Sequence, residues 1–388
     1  MTSSRKPDLF PPKADWDRTP WNRWSFQHVR EIVPTVEVWR GNGPVRALPR
    51  NEQNLDGLRI AGIDSGSTTL ATFLEQTYTD GLLVLKHGAI VYERYLNGMN
   101  EHTLHLSQSV AKSFTGALTG ILVGRGAIDV DAQITDVLPE LASTAYRGAT
   151  IQHVLDMASG VRFGEDYTDP LSDMARADVA SGWKPVPSGA DPRQWPQTIL
   201  DLILTLHTLE QPHGGRFAYR SIETDVLAFV LERSTGKRLP QLLSEELWQK
   251  FGMEQSANMT VDPSGYALAD GGLNACLRDY GRFGQMILEG GAGVVPASWI
   301  DATRSADHTL FSEPYTAVLP DGGYRNQFWI EDQASRNLMA RGVFGQLIHI
   351  DFARQVVVVK LSSWPEFVNP GWTRATLDVV RRIGAALS

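Results

Sequence analysis

The sequence has 388 residues, of which 42% are hydrophobic and 21% charged, and its formal net charge is −8. This length and composition are typical of a globular protein with a large buried core, and not of a disordered chain. The negative charge argues against nucleic-acid binding, because a basic surface is needed to replace the counterions of a phosphate backbone. No apolar run approaches the roughly 20 residues that span a bilayer, so no membrane partner is expected either.

Cysteine usage and the first residues of the chain bear on the cellular compartment. Cys276 is the only cysteine, so no internal disulfide can form. Residues 1–24 contain no apolar core of the kind found in secretory signals. Both features favour a cytoplasmic protein, although a signal already removed would leave the same sequence.

The first third of the chain is predicted to run from an irregular N-terminal arm into a hairpin and a helix. Residues 1–60 are rich in proline, tryptophan and charge and show little periodicity. In residues 81–95, two apolar and partly alternating runs flank His87-Gly88, which indicates a β-hairpin with a tight turn. Residues 110–124 place apolar side chains at helical spacing and end in glycine, which predicts a buried helix.

The remainder contains a long loop, a second helix and a return to strands. Residues 160–196 are rich in proline, glycine and aspartate, which is typical of an ordered functional loop. A helix is predicted over 221–236, with Ser221 as its N-cap and Gly236 just past its end. Three strand patterns and a closing amphipathic helix follow, at residues 326–332, 343–351, 355–364 and 373–387.

Strands early and late in the chain, with helices between them, predict an α+β fold in which both ends of the chain build one sheet. We expect an antiparallel sheet flanked by helices, with a mainly helical lobe inserted into it. The predicted limits are residues 61–125 and 275–388 for the α/β lobe and 126–274 for the helical lobe, after the arm at 1–60.

The segment LSQSVAKSFTG, residues 106–116, places a serine three residues before a lysine at the start of the predicted buried helix. The same spacing occurs at Ser3, Ser181 and Ser234, so the bare pattern is weak evidence. Only Ser109 stands where this separation puts both side chains on one face of a buried helix. A lysine there could take the serine proton if apolar surroundings lowered its pKa, and the positive end of the helix would stabilise the alkoxide.

The alternative is structural, with Ser109 capping the helix and Lys112 extending its amine to water. Other catalytic signatures are missing from the sequence. It contains no G-x-S-x-G nucleophile elbow, no H-E-x-x-H or cysteine–histidine cluster and no phosphate-binding loop. We therefore expect neither a metal site nor a cofactor.

Four motifs occur in an order that is shared with a known family. They are SVAK (109–112), IQHVLDMASGV (151–161), YRS (219–221) and GVFGQ (342–346). The set resembles the penicillin-recognising, class C β-lactamase-like serine hydrolases, which implies a β-lactamase/transpeptidase-like fold. Longer stretches are similar to the branch of that family that hydrolyses linear amides of the 6-aminohexanoate type, among them EDYTDP (165–170), SGWK (181–184) and VVKLSSWP (358–365).

Carried over by position, the resemblance implies that Ser109 is the acylated nucleophile and that Lys112 takes its proton. Tyr219 would share in the proton relay and protonate the leaving amine. The backbone N–H groups of Ser109 and Val343 would form the oxyanion hole, since two converging donors suit the charge that develops on a carbonyl oxygen during acyl transfer.

Five further residues are implied as candidates for substrate binding. Tyr167 corresponds to a tyrosine that hydrogen-bonds the amide. Asp178 and Asp270 fall where a carboxylate could pair with a substrate ammonium. Trp183 and Trp329 are candidates for the lining of the cleft. Each has a structural alternative: an exposed loop tyrosine, solvated carboxylates and tryptophans that only pack.

Two departures from the family pattern bear on the substrate. Ser221 replaces the asparagine that follows the motif tyrosine in many relatives. Phe344 and its neighbours replace the Lys-Thr-Gly strand, which removes a cation that would meet a penicillin carboxylate. Both departures favour small amides or esters over β-lactams.

The expected function is therefore a serine hydrolase that cleaves a linear amide of the 6-aminohexanoate type through an acyl-enzyme, with esterase activity on the side. The alternatives are a family VIII-like carboxylesterase for short acyl chains and a catalytically silent scaffold with the same fold. The expected partner is a small-molecule amide or ester. The sequence does not determine the oligomeric state and leaves a homodimer open.

Overall fold

The computed structural model describes residues 10–63 and 66–388. Ser3 and the first nine residues of the predicted arm lie outside the described residues. In the part of the chain that is described, no helix is both long and apolar enough to cross a membrane.

Thirteen strands and thirteen α-helices are present in the described residues. The strands are β1 (Thr35–Val38), β2 (Arg59–Ala61), β3 (Ser67–Thr69), β4 (Thr79–Lys86), β5 (Ala89–Tyr95), β6 (Leu104–Leu106), β7 (Ala257–Thr260), β8 (Leu273–Cys276), β9 (Gly323–Arg325), β10 (Phe328–Ile330), β11 (Leu338–Gly342), β12 (Gln346–Asp351) and β13 (Val356–Ser362). The helices are α1 (Asn22–Ser25), α2 (Leu70–Gln76), α3 (Ala111–Gly124), α4 (Ile134–Val137), α5 (Ile151–Leu155), α6 (Asp173–Ala180), α7 (Ile199–Leu204), α8 (Ile222–Thr235), α9 (Leu239–Leu243), α10 (Gln249–Phe251), α11 (Leu277–Leu288), α12 (Ala297–Thr303) and α13 (Pro370–Ala386).

The largest sheet has seven antiparallel strands in the order β5-β4-β13-β12-β11-β10-β9, so both ends of the chain build it as predicted. The predicted hairpin is confirmed as β4 and β5, with His87 and Gly88 of the turn at φ 49° and 77°. Strand β13 is buried along its whole length because helices cover both of its faces. Val357 and Val359 pack in the cluster that contains α11, whereas Val358 packs in the cluster that contains α13.

A second sheet has four antiparallel strands in the order β1-β7-β8-β6. Its first strand comes from the predicted arm, since Thr35–Val38 pairs with Ala257–Thr260. The arm is therefore not irregular throughout. A four-residue strand is too short to show an alternating pattern, and its partner lies more than 200 residues away. The predicted limits of the lobes stay a prediction.

Helix α3 is held in a fixed position by very close packing. Its residues from Ala111 to Leu122 are all buried, in agreement with the sequence prediction. Glycines at 116 and 120 allow this, because a Cβ at either position would collide with the backbone of Asn326 or the ring of Trp299. The start of α3, where Ser109 and Lys112 lie, is thereby held in register with the large sheet.

Two local predictions differ from the structure. The predicted loop over 160–196 contains α6, which is too short for its periodicity to stand out in a proline-rich and glycine-rich segment. Ser221 stands at the N-cap position of α8 but its hydroxyl does not cap the helix, because its backbone is already helical and its side chain bonds Glu165. Gly236 ends α8 with a left-handed φ of 68°, as predicted.

Glu331 anchors α13 to the end of β10. Its carboxylate lies 2.9 Å from Nε2 of His349 and accepts hydrogen bonds from Asn337 at 3.1 Å and from Arg381 at 2.6 Å. Burial raises the pKa of Glu331, but the hydrogen bonds and the nearby positive charges outweigh burial and hold the pKa at about 2.

Glu331→Gln is expected to lower the free energy of unfolding by about 3 kcal/mol at neutral pH. A folded-state pKa of about 2 lies below 4.5, the usual value for a glutamate. The carboxylate therefore contributes fully above about pH 5, and its contribution is lost as the pH falls towards 2. Urea unfolding at several pH values should show the gap between wild type and variant closing over that interval. A difference in unfolding free energy that does not change with pH would contradict this assignment. Asp378→Asn is the control, because it breaks an exposed ion pair with Arg381. It should lower the free energy of unfolding by less than about 1 kcal/mol.

Candidate active site

Ser109 and Lys112 meet at the start of α3. Ser109 lies in a helical turn, Gln108–Val110, that runs directly into α3. Nζ of Lys112 donates a hydrogen bond to Oγ of Ser109 at 3.0 Å and another to the backbone oxygen of Asp270 at 2.6 Å. Lys112 is only 1% exposed, so its amine does not extend to water, and Ser109 does not cap the helix. The structural alternative for this pair is therefore excluded.

Tyr219 brings a phenol to the same point. It lies three residues before the first residue of α8, and its backbone N–H donates to the hydroxyl of Tyr315 at 2.8 Å. The centre of its ring is 5.3 Å from Nζ of Lys112, and the ring stacks on Trp329 at 5.4 Å between centroids. The three residues indicated by the motifs thus meet where α3 and α8 begin.

The pKa of Lys112 is not lowered, contrary to the expectation from sequence. Burial does lower the pKa of this amine, but the phenolate form of Tyr219 and the carboxylates of Asp270 and Glu165 outweigh burial and raise the pKa above its usual value. An apolar helix predicts the burial, whereas the anionic groups come from other elements and leave no mark on the helical pattern. In the free protein Lys112 is an ammonium, which must lose a proton before it can act as a base.

The phenol of Tyr219 is held in its neutral form. Burial raises the pKa of Tyr219, and the charge of Lys112 lowers it by less. The resting site therefore contains an ammonium, a neutral phenol and a serine hydroxyl within hydrogen-bonding reach of one another. Such a cluster can exchange protons among its members without bulk water.

Glu165 is a site residue that the sequence interpretation missed. Its carboxylate accepts hydrogen bonds from the hydroxyl of Tyr167 and from the backbone N–H and hydroxyl of Ser221. Burial raises the pKa of Glu165, and the charge of Lys112 opposes this effect. A signal was available, because Glu165 opens the EDYTDP stretch, which is among the segments that resemble the family.

The end of strand β11 lies directly against Ser109. A Cβ on Gly342 would be 2.8 Å from the backbone oxygen of Ser107 and 3.0 Å from the backbone nitrogen of Ser109, so only glycine fits without displacing one of them. Phe344 follows in a left-handed conformation, with φ 61°, and its N–H donates to the backbone oxygen of Phe367. This turn holds Val343 beside Ser109, where both residues line the cleft.

Ser109 lies where two cavities meet. The larger has a volume of about 410 Å³ and the smaller about 50 Å³. Four residues line both cavities: Ser109, Tyr167, Val343 and Phe367. Tyr219, Trp329 and Arg341 line the larger one, whereas Asp178, Trp183 and Asp270 line the smaller one. The eight predicted site residues other than Lys112 therefore all border this cleft.

Strand β11 takes the place of the family's Lys-Thr-Gly strand, and it carries a cation, Arg341. The sequence interpretation, that the cation of this strand is lost, is therefore wrong. Arg341 of β11 lines the larger cavity together with Ser109. The interpretation considered Phe344 and its neighbours without assigning the preceding arginine to the cleft. The positive charge of this strand is therefore compatible with an anionic group on the substrate.

The aromatic candidates divide into cleft and core residues. Tyr167 stacks on Phe367 at 5.3 Å, and its hydroxyl is engaged with Glu165. Trp329 lies in the larger cavity against Tyr219. Trp183 is mainly a packing residue, because it is 7% exposed and its Nε1 donates to Thr260 at 3.0 Å.

Asp178 already has an ammonium partner within the chain. Nζ of Lys184 lies 2.8 Å from its carboxylate and 2.9 Å from that of Asp17. Burial raises the pKa of Asp178 to about 6 in spite of Lys184. A substrate ammonium would have to compete with Lys184 for Asp178. The carboxylate of Asp270, whose pKa is also raised by burial, forms no ion pair with a side chain of the described residues.

The described residues offer no group of three or more His, Cys, Asp or Glu side chains that could hold a metal ion. The charged groups of the cleft are instead distributed one by one around Ser109. Lys112 lies beneath it, Glu165 and Arg341 lie on the side of the larger cavity, and Asp270 lies on the side of the smaller.

A serine, a buried lysine and a tyrosine at the junction of a helix and an antiparallel sheet define a class of serine hydrolase. The Beta-lactamase family model matches residues 68–380, and the chain belongs to this family of serine hydrolases. It is 34% identical to 6-aminohexanoate-dimer hydrolase of Paenarthrobacter ureafaciens over 386 residues, which cover 97% of this chain and 95% of that enzyme. It is also 28% identical to esterase EstB of Burkholderia gladioli over 204 residues, 48% of each chain.

Solved structures confirm the α+β, β-lactamase/transpeptidase-like fold. A protein of Bacillus anthracis, provisionally assigned as a 6-aminohexanoate-dimer hydrolase, superposes with a TM-score of 0.86 at 30% identity and covers 99% of both chains. EstCE1, a hydrolase with promiscuous acyltransferase activity, has a TM-score of 0.63 at 16% identity over 81% of this chain and 98% of its own. At that identity the second likeness concerns the fold alone.

Gly342→Ala is expected to lower kcat for a p-nitrophenyl ester about tenfold or more, because the new Cβ pushes the end of β11 away from Ser109 and displaces Val343. Far-UV circular dichroism should show the fold intact. Gly43→Ala is the control, since its Cβ would meet nothing within 4 Å. An unchanged kcat for Gly342→Ala would show that this contact does not position the site.

Glu165→Gln is expected to move the ascending limb of the kcat/KM profile, where activity rises as Lys112 loses its proton, to lower pH. The charge of Glu165 raises the pKa of Lys112, so its removal lowers that pKa and more of the amine is unprotonated at a given pH. The profile is measured with a p-nitrophenyl ester beside Glu75→Gln, which removes an exposed carboxylate of α2. A limb that stays in place or moves to higher pH would contradict this effect.

Proposed function

We propose that the protein hydrolyses linear amides of the 6-aminohexanoate type through an acyl-enzyme at Ser109. The observation that carries the proposal is the 3.0 Å contact between Oγ of Ser109 and Nζ of Lys112 at the junction of two cavities. Cavities on either side of a nucleophile suit a linear substrate whose acyl and amine parts extend in opposite directions. The identity with 6-aminohexanoate-dimer hydrolase over almost the whole chain supports the same substrate class.

In the proposed acylation, neutral Lys112 accepts the proton of Ser109 while Oγ attacks the carbonyl carbon. The carbonyl oxygen becomes negative, and the backbone N–H groups of Ser109 and Val343 donate to it. Tyr219 gives its proton to the leaving nitrogen as the C–N bond breaks. Lys112 then returns a proton to Tyr219, which leaves Lys112 neutral and Ser109 esterified.

Deacylation reverses these roles with water in place of the amine. Water attacks the ester carbonyl and passes a proton to the Lys112–Tyr219 pair as the oxyanion forms again. The ester C–O bond then breaks, and Oγ of Ser109 takes that proton back. The acid product leaves, and each group has regained its starting protonation state.

The substrate contacts follow the division of the cleft. Tyr167 and Trp329 are proposed to contact the chain of the substrate beside the scissile bond. Asp270 is proposed as the carboxylate for a substrate ammonium, because Lys184 already neutralises Asp178. Trp183 would act by packing, since its polar atom is bonded within the protein.

A carboxylesterase for short acyl chains is the second candidate. The similarity to esterase EstB and the mainly apolar lining of the larger cavity favour it. An ester is also easier to acylate than an amide, so the two activities share one mechanism. Two predictions from the sequence stay predictions: a cytoplasmic location, and a small-molecule partner with neither nucleic acid nor membrane. The sequence also leaves a homodimer open.

The test uses the purified protein with the linear aminohexanoate dimer, p-nitrophenyl acetate and nitrocefin. The dimer and the ester should be hydrolysed, and nitrocefin only weakly. Ser109→Ala should lower kcat for the dimer by about 1,000-fold or more, because the nucleophile is lost. Ser234→Ala is the matched control, since it removes an exposed serine with the same S-x-x-K spacing.

The remaining outcomes distinguish the alternatives. Turnover of the ester without the dimer would favour the carboxylesterase. No turnover and no fluorophosphonate labelling of Ser109 would favour the silent scaffold.

A further inference from the structure

The proposed mechanism leaves one cation of the larger cavity without a role. Arg341 is the penultimate residue of β11, and it lines this cavity with Ser109 and Tyr219. Its guanidinium carbon lies 4.8 Å from the centre of the Trp329 ring. Within residues 10–63 and 66–388, no carboxylate is in ion-pair distance of Arg341 and no protein acceptor takes a hydrogen bond from its guanidinium.

The fully buried arginines of the described residues each pair with a carboxylate. The buried Arg220 pairs with Glu210 at 2.7 Å, and the buried Arg282 pairs with Asp279 at 3.0 Å. Burial of Arg341 lowers its pKa to about 10, and only Tyr219 acts in the other direction. Removing a cation from water is costly unless an anion compensates it. At the wall of a ligand cavity, that anion can come from the ligand.

We propose that Arg341 binds a carboxylate at the amine end of the substrate. The planar fork of a guanidinium matches the two oxygens of a carboxylate, and the Trp329 ring contacts that fork at the wall of the cavity. The amine end is indicated because Arg341 shares its cavity with Tyr219, whereas Asp270 faces the other cavity.

The substrate class that follows is a zwitterionic linear amide, with an ammonium at the acyl end and a carboxylate at the amine end. This inference rests on the proposed function and specifies the charges of its substrate. It also assigns Arg341 a role in binding that is separate from the chemistry at Ser109.

Binding is measured by titration calorimetry with Ser109→Ala protein, so that the result does not depend on turnover. The ligands are the linear aminohexanoate dimer and the same dimer with its terminal carboxylate converted to a carboxamide. The carboxylate form should bind on the order of 10- to 100-fold more tightly, because the carboxamide lacks the negative charge that strengthens hydrogen bonds from a guanidinium. Equal affinities would overturn the inference.

Variants locate the preference. Adding Arg341→Gln should abolish the difference between the two ligands, and adding Arg341→Lys should retain part of it because the charge is kept. Adding Arg304→Gln should leave the difference intact, since Arg304 also packs on an aromatic ring, that of Phe352 at 3.8 Å, but does not line the cavity. A preference that survives Arg341→Gln would assign the carboxylate to another residue.

Turnover by the enzyme with Ser109 intact separates this inference from the proposed function. Cleavage of both dimers, together with equal affinities, would reject the role of Arg341 and leave the amidase standing. Failure to cleave either dimer, together with a preference that depends on Arg341, would reject the amidase and leave the carboxylate site standing.

Discussion

The buried amine of Lys112 is the interaction on which the rest of the site depends. A charged amine removed from water is stable only when neighbouring groups accept its protons or balance its charge. Here the acceptors are Oγ of Ser109 and the backbone oxygen of Asp270, and the balancing charges come from the carboxylates of Asp270 and Glu165. These groups belong to separate segments of the chain. The requirement to neutralise one ammonium therefore fixes how a helix, a loop and the start of α8 are placed around the nucleophile.

The packing of α3 and the large sheet makes this placement rigid. Side chains are absent at Gly116 and Gly120, so the neighbouring backbone and the Trp299 ring approach α3 as closely as atoms allow. At the other side, Gly342 brings the end of β11 against the backbone of Ser109. Close packing tolerates little movement, since even small changes of volume are costly in a dense interior. The glycines thus let the nucleophile and the adjoining strand pack in direct contact, in addition to the polar contacts of Lys112.

The features that the sequence predicted correctly are those with short-range or motif-level signals. The hairpin of β4 and β5 has its turn at His87-Gly88, and α3 has helical periodicity. The family motifs also point to Ser109, Lys112 and Tyr219, which the fold brings together and whose roles stay a prediction. The features that it missed depend on partners far along the chain. Strand β1 pairs with β7, and Lys184 forms an ion pair with Asp178. Anionic groups from other segments raise the pKa of Lys112, which was expected to be lowered. Periodicity within one segment contains no information about such partners.

The distribution of charge explains how a buried phenol can take part in proton transfer. Burial alone would make the phenolate of Tyr219 too costly to form, and it raises the pKa accordingly. Two cations face this group, because the Lys112 amine lies 5.3 Å from its ring and the charge of a Tyr219 phenolate would also stabilise Arg341. Each cation offsets part of the cost of burial. The phenol can therefore give up a proton at lower cost than its burial alone implies, while the same burial keeps water from competing for that proton.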